Sequence, residues 1–159
     1  MHKLVACTML SFAVLFLAIS VGAAAGTDPA VGTWQLNVAK STFTAGPAPK
    51  SQTRTYAQSG QGISLVVKSV SADGKQSTTR MTYQYDGKDY PVTGDPDYDS
   101  LAVKQIDPNT AEAALKKGGK TVGKTVRKVS QDGKTLTLNT SLTAASGQKI
   151  ENVLVLDKH

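Results

Sequence analysis

Six side chains in this sequence have the chemistry to hold a small molecule. Arg54 and Arg127 can meet a carboxylate, Tyr56, Tyr83 and Tyr85 combine an aromatic face with a hydroxyl, and Met81 adds a flexible thioether. The residues that transform molecules are scarcer. The histidines are His2 and His159 at the two ends, and the one cysteine is Cys7. Without an internal histidine or cysteine there is no Ser-His-Asp or Cys-His nucleophile, no ordinary zinc site and no histidine-ligated haem. The chain therefore reads as a binding protein rather than an enzyme, with no metal and no cofactor.

Two motifs invite a catalytic or metal reading and fail on context. Gly118 to Thr125 (GGKTVGKT) matches the phosphate-binding pattern G-x-x-x-x-G-K-[ST], but that loop works by presenting N–H groups at a helix start. Here Val126 to Ser130 and another turn follow, which is strand context. Asp95, Asp97 and Asp99 gather carboxylates of the kind that attract Ca²⁺. The EF-hand pattern needs glycine where Ser100 stands and glutamate where Ile106 stands, so the segment reads as a solvated turn. Nothing in the sequence sets any two of Asp95, Asp99, Glu112 and Glu151 at a glycosidase separation.

The elements that must position the six side chains are strands. From Gly32 onward the chain alternates short Thr- and Val-rich segments with turn residues. Asp73-Gly74-Lys75, Asp86-Gly87-Lys88 and Asp132-Gly133-Lys134 repeat an Asp-Gly turn signal, and Asp107-Pro108-Asn109, Gly118-Gly119 and Ser146-Gly147 mark three more reversals. Ten strands are expected, near residues 32 to 38, 51 to 59, 62 to 71, 76 to 85, 89 to 93, 99 to 106, 110 to 117, 121 to 130, 134 to 142 and 148 to 156. The alanines at 111, 113 and 114 would suit a helical turn, yet flanking reversals favour a strand. Met81, Tyr83 and Tyr85 share one face of their strand, as do Leu136, Leu138 and Leu142. Glu151 to Leu156 is apolar on both sides apart from Asn152, as in a closing strand. The stretch from Ala39 to Lys50 reads as an irregular connection. The fold class is thus all-β, a single antiparallel meander closed into a barrel of 8 to 10 strands, with a two-sheet sandwich as the alternative. Closure is favoured because it removes edges that would invite aggregation.

The first residues address the chain elsewhere. Lys3, an apolar run from Leu4 to Val21 and the small-residue cluster Gly22 to Gly26 form a signal peptide. Ala23 and Ala25 place cleavage after residue 25, leaving a domain of residues 26 to 159, secreted or periplasmic and with no stable membrane anchor. Cys7 leaves with the signal, so the mature domain relies on its core and not on disulfides. The formal charge of +6 falls to +5 with the loss of Lys3. It is not clustered with aromatics, which argues against nucleic acid.

Gly32-Thr33-Trp34, the ten hairpin-linked strands and Lys158 at the end together resemble the calycin superfamily, the lipocalin-like and fatty-acid-binding-like barrels. Residues 32 to 41 (GTWQLNVAKS), Tyr85 to Lys88 and Tyr90 to Gly94 are similar to a group of small secreted bacterial lipocalin-like proteins of unassigned function. The resemblance implies that Trp34 packs across a closed barrel end beneath Lys158. It also marks two departures: residues 39 to 50 are too few for a helical lid, and an Arg-x-Tyr pair stands at Arg54 to Tyr56 on the second strand instead of on a late one, where a solvated outer face in line with Gln52 and Gln58 is an equal reading. The function expected is retention of a small apolar or amphipathic ligand inside the barrel, walled by Met81, Tyr83 and Tyr85, with Tyr56 nearby and Arg54 or Arg127 meeting a carboxylate. An envelope interaction protein with a filled core and no ligand is the alternative.

Overall fold

Tight reversals bring each new strand beside the one just completed, so a chain punctuated in this way folds as a meander. The computed structural model describes residues 27–159; the expected signal peptide lies outside the described residues. Ten strands follow one another: β1 (Gly32–Leu36), β2 (Ser51–Ser59), β3 (Gly62–Val70), β4 (Gln76–Tyr83), β5 (Asp86–Thr93), β6 (Ser100–Asp107), β7 (Thr110–Lys117), β8 (Lys120–Val129), β9 (Thr135–Thr143) and β10 (Lys149–Lys158). Each pairs antiparallel with the next, and β10 returns to β1, with Leu36 opposite Leu156 and Trp34 opposite Lys158. The closed barrel replaces the sandwich alternative, and the alanine-rich segment is the strand β7. The connection from β1 to β2 holds a 3-10 turn at Val38–Lys40 and a bridge from Thr42 to Val153 on β10.

The three Asp-Gly signals close their turns alike. Asp73, Asp86 and Asp132 each accept from the N–H two residues on, at 3.2, 3.0 and 3.1 Å, and Gly74, Gly87 and Gly133 all have positive φ. Arg80 opposite Thr93 and Met81 opposite Val92 centre the β4–β5 hairpin on Asp86-Gly87. Asp86 also pairs with β6, and the β5–β6 register shifts between Asp86 and Asp89, so Gly87 serves a bulge as well as the turn. The Tyr85 ring stays beside that of Tyr83, with centres 5.8 Å apart.

Residues directly opposed across an antiparallel pair share a face of the sheet. The inward face carries Tyr56, Leu65, Met81, Val92, Leu101, Val103, Leu115, Leu138 and Leu156, all buried. Trp34 is fully buried and donates from Nε1 to the Ala30 carbonyl at 2.7 Å, while Lys158 Nζ lies 5.0 Å from its ring centre. Gly32 makes this stack possible. It has φ +137, and a β-carbon there would come within 2.9 Å of Lys158 Cε. The Gly-x-Trp spacing therefore clears the path for the lysine stem and presents the indole to it, adding a cation-π attraction of about 0.5–1 kcal/mol to the burial of both.

Alternation of strand direction divides the reversals between two ends. The residues before β1, the β2–β3, β4–β5, β6–β7 and β8–β9 turns and the C-terminus share the first end. The long connection after β1 and the other four reversals share the second.

Candidate functional site

Arg127 is the centre of the first end. On β8 it stands opposite Ala111 and Leu138, two buried inward residues, so its side chain enters the barrel. Only 6% of that side chain is exposed. A guanidinium withdrawn from water must be paired, because an unpaired buried charge costs several kcal/mol. Its partner is Asp28, on the segment before β1, whose carboxylate oxygens lie 3.3 and 3.4 Å from Arg127 Nη2. Nη2 also donates to the Tyr85 hydroxyl oxygen at 2.9 Å, and the Tyr85 hydroxyl donates to Asp28 Oδ2. Nη1 is 3.5 Å from the Tyr83 hydroxyl, and the guanidinium lies 5.4 Å from the Tyr56 ring centre and 5.8 Å from that of Tyr85.

Burial pushes the Tyr85 hydroxyl up to about 12, against the pull of Arg127, and burial likewise raises Tyr83 well above its ordinary value. Both phenols are neutral at physiological pH. Burial works against the Arg127 charge, but Tyr83, Tyr56, Tyr85 and the Asp28 carboxylate outweigh it and hold the guanidinium above its ordinary range. This cluster fastens the incoming chain across the barrel end. Ala30, two residues on, is fully buried under Trp34.

Arg54 occupies the second end under different conditions. On β2 it stands opposite Trp34 and Val67, so it too faces inward, as do Gln52 opposite Ser69 and Thr79 opposite Val67. The outward, solvated orientation that its line with Gln52 and Gln58 would suggest is not the one adopted. Arg54 Nε donates to Gln52 Oε1 at 3.0 Å, and among the described residues Arg54 forms no ion pair. It is half-buried and borders a cavity of about 690 Å³ that Val67, Ser69, Thr79, Asp95 and Tyr98 also line. Burial raises the Asp95 carboxyl above its usual range, against the Asp97 N–H that Asp95 accepts at 3.0 Å. Burial likewise raises Tyr98, with Asp95 adding to the shift and Arg54 opposing it, so the three groups lie within electrostatic reach of one another.

The loop bringing Asp95 and Tyr98 over the mouth depends on Gly94. A β-carbon there would meet the Thr78 carbonyl at 2.0 Å, and φ is +83. The loop passes directly over the start of β4, where Thr79 Oγ1 donates to the Gly94 carbonyl at 3.3 Å.

The six predicted side chains are thereby divided. Tyr56, Tyr83, Tyr85 and Arg127 come together at the first end, Met81 is buried between Leu65 and Val92 in register, and Arg54 stands alone at the second end. The inward residues between them are buried, and the cavities that border Asp28 and Arg54 lie at the mouths. Asp28, Asp95 and Tyr98 were not among the six. Asp28 precedes the first strand without any local signal of burial, and Tyr98 sits within an acidic loop that composition marks as solvated. The acidic loop's other carboxylates serve backbone donors: Asp97 Oδ1 accepts from Ala145 N at 3.1 Å and Asp99 Oδ2 from Gly118 N at 2.9 Å. The phosphate-loop lookalike is a hairpin. Gly118 and Gly119 make the β7–β8 reversal with φ +55 and +77, and Gly123 lies in β8 against Leu142, where a β-carbon would come within 2.3 Å.

No protein-family model and no curated protein matches the sequence. Among solved structures, zebrafish ileal bile acid-binding protein complexed with cholic acid is similar, with a TM-score of 0.50 over 82% of this chain and 99% of that one, at 10% sequence identity. The shared fold is a closed, ten-stranded antiparallel barrel. At that identity the likeness extends to the fold alone, and the two barrels reach it with sequences that have little in common.

Proposed function

We propose that this protein binds a small amphipathic molecule carrying an anionic group, seated in the mouth of the calycin-like barrel with the anion at Arg54. The observation that carries this reading is an inward arginine that has no ion-pair partner among the described residues and borders a cavity of about 690 Å³. Hydroxyls of Ser69, Ser77 and Thr79 offer hydrogen bonds along the wall, and Val67 and Pro96 offer apolar contact. A site of a few polar groups in a concave, partly apolar wall suits such a ligand. The bile acid-binding neighbour supports the choice of ligand class by fold analogy. The role is binding rather than catalysis, and the segment ahead of Gly26 supports a secreted or periplasmic location. N-terminal sequencing of the protein recovered outside the cytoplasm should begin at Gly26.

The decisive measurement is titration of residues 26 to 159 with an environment-sensitive fluorescent fatty acid. One probe per chain is expected, with affinity lowered about 10–100-fold by Arg54→Gln, the loss corresponding to one charged hydrogen bond. Equal binding by the variant would remove Arg54 from the site. A second reading, an envelope interaction protein with a filled core, is favoured by the burial of Leu65, Val103, Leu115, Leu138 and Leu156 across the barrel centre. Complete failure to take up the probe would select it.

A further inference from the structure

Arg127 has more hydrogen-bonding capacity than its neighbours use. Its contacts to Asp28, 3.3 and 3.4 Å, are longer than the roughly 2.7–2.9 Å of a well-formed guanidinium–carboxylate pair. The Nη1 contact to Tyr83 is longer still at 3.5 Å, and Nε is buried with no hydrogen-bond partner among the described residues. Asp28 therefore fills this cluster incompletely. It also belongs to no strand. Against the outer side of the segment that carries it lies a cavity of about 700 Å³, with Asp28, Pro29 and Tyr85 in its wall and Ile63, Ile106 and Pro108 as apolar lining. Ile106 is 62% exposed, the most exposed of the large apolar side chains.

We propose that Arg127, Tyr85 and Tyr83 form a carboxylate-binding site that the chain's own Asp28 occupies, and that an organic acid entering from the adjoining cavity takes its place. The ligand class is a monocarboxylic acid with a short apolar tail. Its head group meets Arg127 and the Tyr85 hydroxyl, and its tail covers Ile63, Ile106 and Pro108. Ala30 stays pinned by Trp34, while Asp28, which already lines the cavity, turns outward and gives up its bond from Ala30 N at 2.8 Å. The site is independent of Arg54, which lies at the other end.

Chemical rescue tests this. In Asp28→Ala, acetate replaces the missing carboxylate and should raise the thermal midpoint saturably by several degrees, as for any ligand that binds only the folded state. Chloride at equal ionic strength should not, and Asp28→Ala/Arg127→Met should lose the response. Equal effects of acetate and chloride would overturn the proposal. Should Asp28→Ala fail to fold, Thr27→Cys in the otherwise natural mature chain, which has no cysteine of its own, carries a fluorescent label beside the site. Decanoate should change its emission saturably, and Arg54→Gln should leave that change intact. An unresponsive label, or a response that disappears with Arg54→Gln, refutes the exchange.

Discussion

Arg127 and Arg54 both enter the barrel from strands whose opposed partners are apolar, yet the protein treats them differently. At the first end the guanidinium is withdrawn from water and surrounded by a carboxylate and three tyrosines. At the second it is half-buried, braced by one glutamine and bordered by open space. Burial obliges a charge to find a partner, whereas partial exposure lets water serve until a ligand arrives. One arginine is therefore held by a carboxylate of the chain itself, and the other stands at a mouth with no carboxylate of the described residues on it.

The sharpest way to break this contrast is Arg127→Met. It strands the Asp28 carboxylate in a buried site, and a loss of about 3–5 kcal/mol in urea unfolding is expected. A loss near that of an exposed ion pair, below about 1 kcal/mol, would show that the first end is wetter than its geometry. Next in size is Gly94→Ala, where the added carbon meets the Thr78 carbonyl. A cost of about 1–3 kcal/mol is expected for the strained backbone, with weaker probe binding because the loop bearing Tyr98 is displaced. Unchanged stability would mean that the loop has room to yield.

Arg54→Gln should change stability by no more than about 0.5 kcal/mol while weakening an anionic probe about 10–100-fold, a separation that Arg127→Met cannot show. The smallest effect concerns pH. Burial raises the folded-state pKa of Asp95, so the folded protein binds more protons than the unfolded one and stability falls as pH rises from the unfolded value of 3.8 through the folded value. Asp95→Asn should therefore stabilise the protein at pH 7 and leave it unchanged well below pH 3.8. Thermal midpoints across that range check the sign, and stabilisation confined to low pH would contradict it.

The strands were legible because their signals are local. Asp132-Gly133 and Gly118-Gly119 form reversals wherever flanking strands can pair, and the alternation of Leu136 with Thr137 or Met81 with Thr82 marks an inward face without reference to any neighbour. Asp86-Gly87 follows the same rule and adds a bulge against β6, which needs the neighbouring strand. The candidate sites were legible only as residue types. Arg54 and Arg127 both suggest a carboxylate partner, and nothing within a few residues of either says which is buried.

By itself the sequence determined an all-β meander, an inward apolar face and the pairing of Gly32 with Trp34, since hairpin turns and two-residue periodicity act over a few bonds. Only the closed barrel decided that Asp28 meets Arg127 across 99 positions of chain and that Arg54 faces inward beside Tyr98 and not outward to solvent. The reason is that desolvation of a charge depends on everything packed around it. That surrounding exists only when β10 has come back to β1.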